Sequence, residues 1–395
     1  MKNVVAAFFI WVSIAVSVSE AQIYEARAFW VVRDGLISEE SITEMVDRVV
    51  RSNCNMIFVQ VCGRGEAYYE SRILPQAEPL ALRNDRFDPL ESAIDKAHEQ
   101  GLQVHAWVNV YFVWSAPDLP EDRQHVLHLH PDWVAHTNEG RSLLEYERPF
   151  PFGIEGIFLS PGHPAVKDWI AEVIGEIVAR YDVDGIHLDY LRYPNRGTGF
   201  NPQARARFME KYHFDPIHLA GEKENLKSDS GFVGGDNLDR LWNRWRCQQL
   251  TETLQMVRDR IRAARPEVKL SAAVKPDYDL AVRKFGQDWK RWMDEGLLDF
   301  VVVMAYSPTT TVVVRQIEQA RRMIRTGSLF AGLGVYNQPA FSTVQQIAAV
   351  RRLGVEGISL FSYNSIADDE AYFRTLKEGC FQQVAAMPVM APIKR

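Results

Sequence analysis

The stretch VDGIHLDYLRYP, residues 183–194, ends an apolar run in a carboxylate and follows it with two tyrosines and an arginine. Asp189 is therefore either a loop cap, paired with Arg192 or Lys275, or a group placed to act on a ligand. Two further carboxylates stand at comparable positions, Glu66 in VCGRGEAYYES and Asp277 in KPDYD. Two carboxyl groups across a reacting bond can divide the work. One gives a proton to the leaving atom, and the other acts as base or nucleophile. Each also has a plainer role: Glu66 in a surface pair with Arg64, Asp277 in an Asx turn. His125, His128, His130 and His136 share one loop but lack the helical i, i+4 spacing and the carboxylate in register that zinc sites use. The glycines flanking Arg64 match no phosphate or dinucleotide fingerprint. No metal and no cofactor is expected.

The elements that must position these groups repeat as one unit: a short apolar strand, a loop and an amphipathic helix. The strands centre on ARAFWVV, MIFVQV, LQVHAWVN, DGIHLD, KLSAAVK, FVVVMAY, LFAGLGV and GISLFSY. Asp88-Pro89 marks one helix start, and Ser41 to Glu44 and Ser342 to Gln345 fit the capping box. Gly101 fits the residue just past a helix end. The order and number of units predict an α/β fold, a (β/α)8 barrel of the TIM type. Such a barrel needs only about 250 residues, so long insertions are expected after strand three (114–163) and strand four (195–237).

Strand alternation sorts the side chains. Ile186 and Leu188 face one way, His187 and Asp189 the other. Val104, Ala106 and Val108 oppose His105, Trp107, Asn109 and Tyr111. Ser271, Ala273, Lys275 and Asp277 share a face, as do Phe58 and Gln60, and Met304 and Tyr306. The upper inner layers thus carry polar and aromatic side chains rather than the aliphatic filling of a plain core. That predicts a pocket lined by Gln60, Arg64, Trp107, Asn109, Tyr111, Tyr190, Arg192, Lys275, Tyr306, Tyr336 and Tyr363. His105 and His187 lie deeper and are expected to be satisfied core histidines.

Of the 395 residues, 10 are Trp, 14 Tyr and 20 Phe, more flat apolar faces than a core alone requires. A net charge of −6 gives no electrostatic case for a nucleic-acid partner. Lys2, the apolar run Val4 to Val18 and Ser19-Glu20-Ala21 read as a signal peptide over residues 1–21, too short to span a bilayer. The mature chain is expected to begin at Gln22, to be exported without membrane insertion, to form one barrel over 22–380, and to end in a tail, 381–395. Cys54 and Cys62 flank one strand about 25 Å apart, beyond disulfide reach. With Cys247 and Cys380 they are expected to be free thiols.

VDGIHLDYLRYP, VCGRGEAYYES, HAWVN and QDWKRWMDEGLLDFVVVMAYS together resemble the glycosyl-hydrolase-like 10 family of bacterial exported proteins, from about Glu25 to Gly379. The resemblance implies a (β/α)8 barrel and hydrolysis of glycosidic bonds, one branch of the family cleaving peptide-stripped peptidoglycan strands. It makes Asp189 the strand-four aspartate, with Tyr190, Arg192 and Tyr193 its companions, and Arg64 the strand-two arginine. Where the family more often has Arg-Gly-Asp-Ala, this chain has Arg64-Gly65-Glu66-Ala67. DGIHLDYLRYP and VVVMAYS also resemble family 18 chitinases, but Leu191 and Arg192 stand where the chitinase glutamate belongs. The expected activity is cleavage of a polysaccharide by Asp189 with Glu66 or Asp277, or with an N-acetyl group of the substrate as nucleophile. A carbohydrate-binding barrel without turnover and a metal-dependent hydrolase or deacetylase are the alternatives.

Overall fold

The computed structural model describes residues 22–81, 83, 86–147, 150, 153–220 and 234–389. The expected signal peptide and its cleavage site lie outside the described residues. Eight parallel strands close into a barrel: β1 Ala26–Val31, β2 Met56–Cys62, β3 Gln103–Asn109, β4 Gly185–Asp189, β5 Lys269–Val274, β6 Phe300–Met304, β7 Ser328–Gly334 and β8 Gly357–Phe361. Each strand pairs with the next in sequence, and β8 pairs with β1.

The covering helices include α1 Glu39–Arg51, α2 Pro89–Glu99, α3 Pro164–Arg180, α4 Pro202–Tyr212, α5 Gly234–Ala264, α6 Tyr278–Phe285, α7 Trp289–Asp294, α8 Thr310–Met323, α9 Ala340–Arg351 and α10 Glu370–Cys380. Asp88 caps α2 through Leu90 and Glu91, with Pro89 in the first turn. Two expected caps move. Ser38, not Ser41, caps α1, with Ser41 completing the box. Ser342 falls inside the first turn of α9. The segment after β4 is not one long loop: α4 forms within it, and α5 already begins at Gly234. All four cysteines are unpaired.

Alternation divides the apolar residues into two bodies. Ala28, Trp30, Met56, Phe58, Phe300, Val302 and Phe330 fill the barrel interior. Phe29, Ile57, Val104, Ile186, Leu270 and Val301 belong to the larger cluster that packs beneath the helices. Polar groups in the interior are treated individually. Trp30 Nε1 donates to His187 Nε2 at 3.0 Å, so the ring hydrogen of His187 sits on Nδ1 and points to Ser271 Oγ at 2.9 Å. His187 is thus a satisfied core histidine. His105 is not: both ring nitrogens are buried without a partner, and burial drives its pKa down to about 4. Its ring occupies the space left by Gly185, where a Cβ would collide with the imidazole. Gly185→Ala is therefore expected to cost about 1–3 kcal/mol in urea unfolding, the usual penalty for overpacking a rigid core. An unchanged unfolding curve would show that the ring has room to yield.

The barrel floor is closed by the two ends of the described stretch of chain. Ile23–Tyr24 pairs in parallel with Ala385–Ala386. Glu25 bonds Arg27 Nε at 2.7 Å and takes both Nε and Nη2 of Arg351 at 2.7 Å. Met387 packs against the interior cluster. Residues 385–387, expected to be tail, are part of this floor.

Candidate active site

Asp189 is the last residue of β4 and stands in register with Asn109, the last residue of β3. Asn109 is held from two sides: its Oδ1 accepts from Trp107 Nε1 at 3.0 Å, and its Nδ2 donates to the Gly63 carbonyl at 2.9 Å. Next along the rim, Gln60 Oε1 accepts from Arg33 Nη1 at 3.1 Å. Directly after Asp189 the backbone turns through Tyr190 in the left-handed region, φ +51°. A bulky residue there carries strain of about 1–3 kcal/mol and persists only when its surroundings hold it. They do. Its ring stacks on Phe112 at 4.6 Å, and the Arg192 guanidinium lies 4.4 Å from the ring centre. The same turn aims the Tyr190 N–H at Asp189 Oδ1, 2.6 Å away.

Phe112 comes from the first strand of a small antiparallel pair, Phe112–Trp114 with Ile157–Phe158, within the insertion after β3. That insertion also delivers Glu155, whose Oε2 lies 3.2 Å from Arg192 Nη2 while half of its side chain stays exposed. Burial raises the Glu155 carboxyl, but the Arg192 charge, a Tyr190 hydrogen bond and Lys275 outweigh it and leave it below the ordinary range. Asp189 goes the other way. Burial lifts its carboxyl, Arg192, the Tyr190 N–H and Lys275 only partly offset this, and the Glu155 charge lifts it further. Lys275 in turn is lowered by burial and by the Arg192 charge, despite Glu155 and Asp189. The Arg192 neighbourhood therefore holds one carboxyl raised by burial and another lowered by its arginine. That separation is the usual sign of an acid–base pair.

The opposite wall is aromatic. Tyr306, just past β6, stacks on Phe361 at 5.2 Å and 18°. Tyr336 stands edge-on to both, at 6.3 and 6.0 Å, with 52% of its surface exposed. Trp107 and Trp30 lie beneath, each edge-on to Phe361. Among the described residues a hollow lined by Phe200, Trp242 and Arg246 lies beside α5, away from Asp189. Its carboxylate, Asp239, is paired with Arg196, so the mouth is the better chemical site.

The structure gathers Gln60, Trp107, Asn109, Asp189, Tyr190, Arg192, Lys275, Tyr306 and Tyr336 at that mouth. Three expected residues lie elsewhere. Asp277 is exposed and caps α6, accepting from the Leu280 N–H at 2.9 Å. Tyr111 follows the end of β3, where alternation stops, and its buried hydroxyl donates to Thr253 of α5 at 2.7 Å. Tyr363 starts a short 3-10 turn after β8 and swings outward to Phe29, Phe373 and Arg48. Glu66 is buried beside Arg64 and Arg33, and burial raises its carboxyl.

Glu155, Arg33 and Phe361 were missed. Phe361 follows from the same alternation as Ser359, but Glu155 sits in an insertion with no period to place it. The loop histidines have local duties. His125 bonds the Arg64 carbonyl at 2.8 Å, His128 that of Pro120 at 2.7 Å and His136 that of Val134 at 2.9 Å, while His130 stacks on Trp133.

Comparison with known proteins agrees with this barrel. The chain is 26% identical over 306 residues to glycosyl hydrolase DigH of Escherichia coli K12, covering 71% of this chain and 60% of that one. It is 26% identical over 314 residues to glycosyl hydrolase YngK of Bacillus subtilis, covering 71% and 54%. The aligned part is thus under two thirds of either relative's length. Among solved structures, the PgaB (BpsB) glycoside hydrolase domain of Bordetella bronchiseptica superposes with TM-score 0.64 at 15% identity, over 90% of this chain and 99% of that one. The β-amylase catalytic domain of Paenibacillus polymyxa gives 0.58 at 15% identity, over 93% and 100%. These likenesses establish the fold. The model of the family described as glycosyl hydrolase-like 10 matches residues 11–346, and the chain belongs to that family.

Proposed function

We propose that this chain is an exported glycoside hydrolase that cleaves glycosidic bonds of a polysaccharide, with Asp189 protonating the glycosidic oxygen. The observation that carries the reading is the placement of Asp189 at the end of β4, three residues before an Arg192 that holds Glu155 at 3.2 Å, with burial raising the first carboxyl and Arg192 lowering the second. A departing sugar needs a proton, and the oxocarbenium-like centre needs a carboxylate or an activated water on its other face. Asp189 is suited to the first task because burial raises its carboxyl above the ordinary aspartate value, toward that of a proton donor. Glu155, ionised and held by Arg192, replaces Glu66 and Asp277 as the candidate for the second.

Tyr306, Phe361 and Tyr336 offer ring faces to sugar, and Gln60, Asn109 and Lys275 offer donors and acceptors for its hydroxyls. Family membership supports the glycosidic reaction class, and the peptidoglycan-cleaving branch that the motifs resemble favours cell-wall glycan strands as substrate. Export rests on the apolar N-terminal run Val4 to Val18; among the described residues no helix is long and apolar enough to cross a membrane.

Incubating the full chain with cell-wall and plant polysaccharides is expected to release oligosaccharides from at least one, and to do so equally after dialysis against EDTA. Binding without any release would return the protein to a silent carbohydrate-binding barrel. Loss of release with EDTA and recovery with zinc would favour metal-dependent hydrolysis.

A further inference from the structure

Resting on the glycan reading of the mouth, we propose that the hollow beside α5 is a second, non-catalytic sugar-binding site that takes an N-acetylated sugar. The hollow encloses about 190 Å³. One stripe of α5 supplies much of its lining. Asp239, Trp242, Asn243 and Arg246 recur at the i, i+3, i+4, i+7 spacing that sets side chains on one helix face. Gly197 and Phe200, from the segment after β4, and Asn138, from the insertion after β3, complete it.

The elements place this hollow at the same end of the barrel as Asp189. With 31 residues, α5 runs roughly 46 Å at the helical rise, while a six-residue strand such as β5 runs roughly 20 Å. The helix returns from the end of β4 to the start of β5, so its first half stands beyond the strand ends. Its surroundings are held firmly. The Asn138 N–H donates to the Gly197 carbonyl at 2.9 Å, and the Gly199 N–H to the His136 carbonyl at 3.1 Å. Ala204 and Phe208 of α4 pack with Trp242 and Trp245 in a small core separate from the barrel. Within it Trp242 stacks on Trp245 at 4.9 Å and 11°.

The lining has donors to spare. Arg27, Arg192 and Arg258, which are also buried, each meet a carboxylate, at 2.7, 3.2 and 2.6 Å. Arg246 is 1% exposed and pairs with no carboxylate among the described residues. Asp239, the acid of the hollow, pairs with Arg196 instead. A guanidinium has five N–H donors. Arg246 makes one short bond, from Nη2 to the Asn195 carbonyl at 2.7 Å; its contacts to the Lys284 carbonyl and Asn243 Oδ1 are 3.4 and 3.5 Å. One turn earlier, the indole N–H of Trp242 is buried without an acceptor. Orphaned donors of this kind are uncommon in folded proteins and call for an acceptor.

An acetamido group matches both sides of the lining. Its carbonyl oxygen accepts from Trp242 or Arg246, and its methyl meets the apolar surface of Phe200 and Leu219. The amides of Asn138 and Asn243 suit the neighbouring hydroxyls. A plain hexose offers hydroxyls but no methyl. Asp239 is the single carboxylate of the lining and is already engaged, so the hollow can hold a sugar but has no second acid with which to cleave one.

The test uses the full chain carrying Asp189→Asn, so that nothing is cleaved, and two neutral probes: β-1,4-linked pentamers of N-acetylglucosamine and of glucose. Hydrogen–deuterium exchange reads where each one binds. The N-acetylglucosamine pentamer is expected to slow exchange over residues 195–200 and 239–246, and the glucose pentamer to leave both stretches unchanged. Trp242→Phe keeps an aromatic ring against Trp245 and deletes the N–H. It should raise the concentration needed for that protection about tenfold, as for one hydrogen bond left unmade. Arg196→Ala, at a side chain 51% exposed, releases Asp239 and should weaken protection without the risk of disturbing the small core.

Protection by both pentamers alike, by neither, or unchanged in both variants overturns the site. Cleavage of a polysaccharide by the wild-type chain with no protection of the hollow overturns the site and keeps the hydrolase reading. Protection that depends on Trp242, in a chain that cleaves nothing, does the reverse.

Discussion

Asp189→Asn is expected to lower turnover by about 10²–10⁴-fold while leaving the melting temperature unchanged or slightly raised. Asn keeps the size of the side chain and still accepts from the Tyr190 N–H, 2.6 Å away in the parent, but it has no acidic proton to give. The effect on stability follows from electrostatics. Burial is the largest influence on Asp189 and it disfavours the charge, so a neutral amide removes an unfavourable contribution to folding. Had Asp189 been the structural partner of Arg192, the change would strand a buried cation and cost several kcal/mol. Arg192 instead pairs with Glu155 at 3.2 Å. An Asn variant that melted much earlier yet turned over normally below its melting point would return Asp189 to the scaffold.

Glu155→Gln should cost at least about 10²-fold in kcat if the residue is the base or nucleophile, and it should also reshape the pH profile. In the wild type the rate falls at low pH as Glu155 takes a proton, at a pH below the ordinary glutamate value, and falls at high pH as Asp189 loses one, above the ordinary aspartate value. The variant has no Glu155 to protonate, so the acid limb should disappear. Its charge also no longer raises the Asp189 carboxyl, so the alkaline limb should move to lower pH. A variant of near-normal rate would leave the substrate's own N-acetyl group as the nucleophile, which needs a single enzymic acid. If the bell stayed in place with a reduced rate, the two carboxyls would not share a field, and the assignment would fail.

How far these residues were legible depends on whether a period governs them. The eight strands and their order could be read because each strand must alternate between a barrel-facing and a helix-facing side chain. Asp189, Asn109, Trp107 and Gln60 inherit their direction from that rule. Tyr111 shows where the rule stops, one step after β3 leaves the sheet, and Tyr363 repeats the lesson after β8. Asp277 fails for another reason: a strand-end aspartate one residue before a helix is an excellent N-cap, and the backbone N–H groups of α6 claim it first. Glu155 was invisible because its position depends on the pairing of Phe112–Trp114 with Ile157–Phe158 across more than forty residues of irregular chain. Arg33 lies in a single turn after β1, where no pattern distinguishes it from a surface charge.

The clasp between Ile23–Tyr24 and Ala385–Ala386 has a consequence for orientation. Both ends of the described chain leave from the face opposite Asp189. A tether at either end, whether to a surface or to another folded unit, would hang the barrel by its base and turn the cleft outward. In the proposed hydrolase, a long glycan could then pass the mouth without the attachment crossing its path.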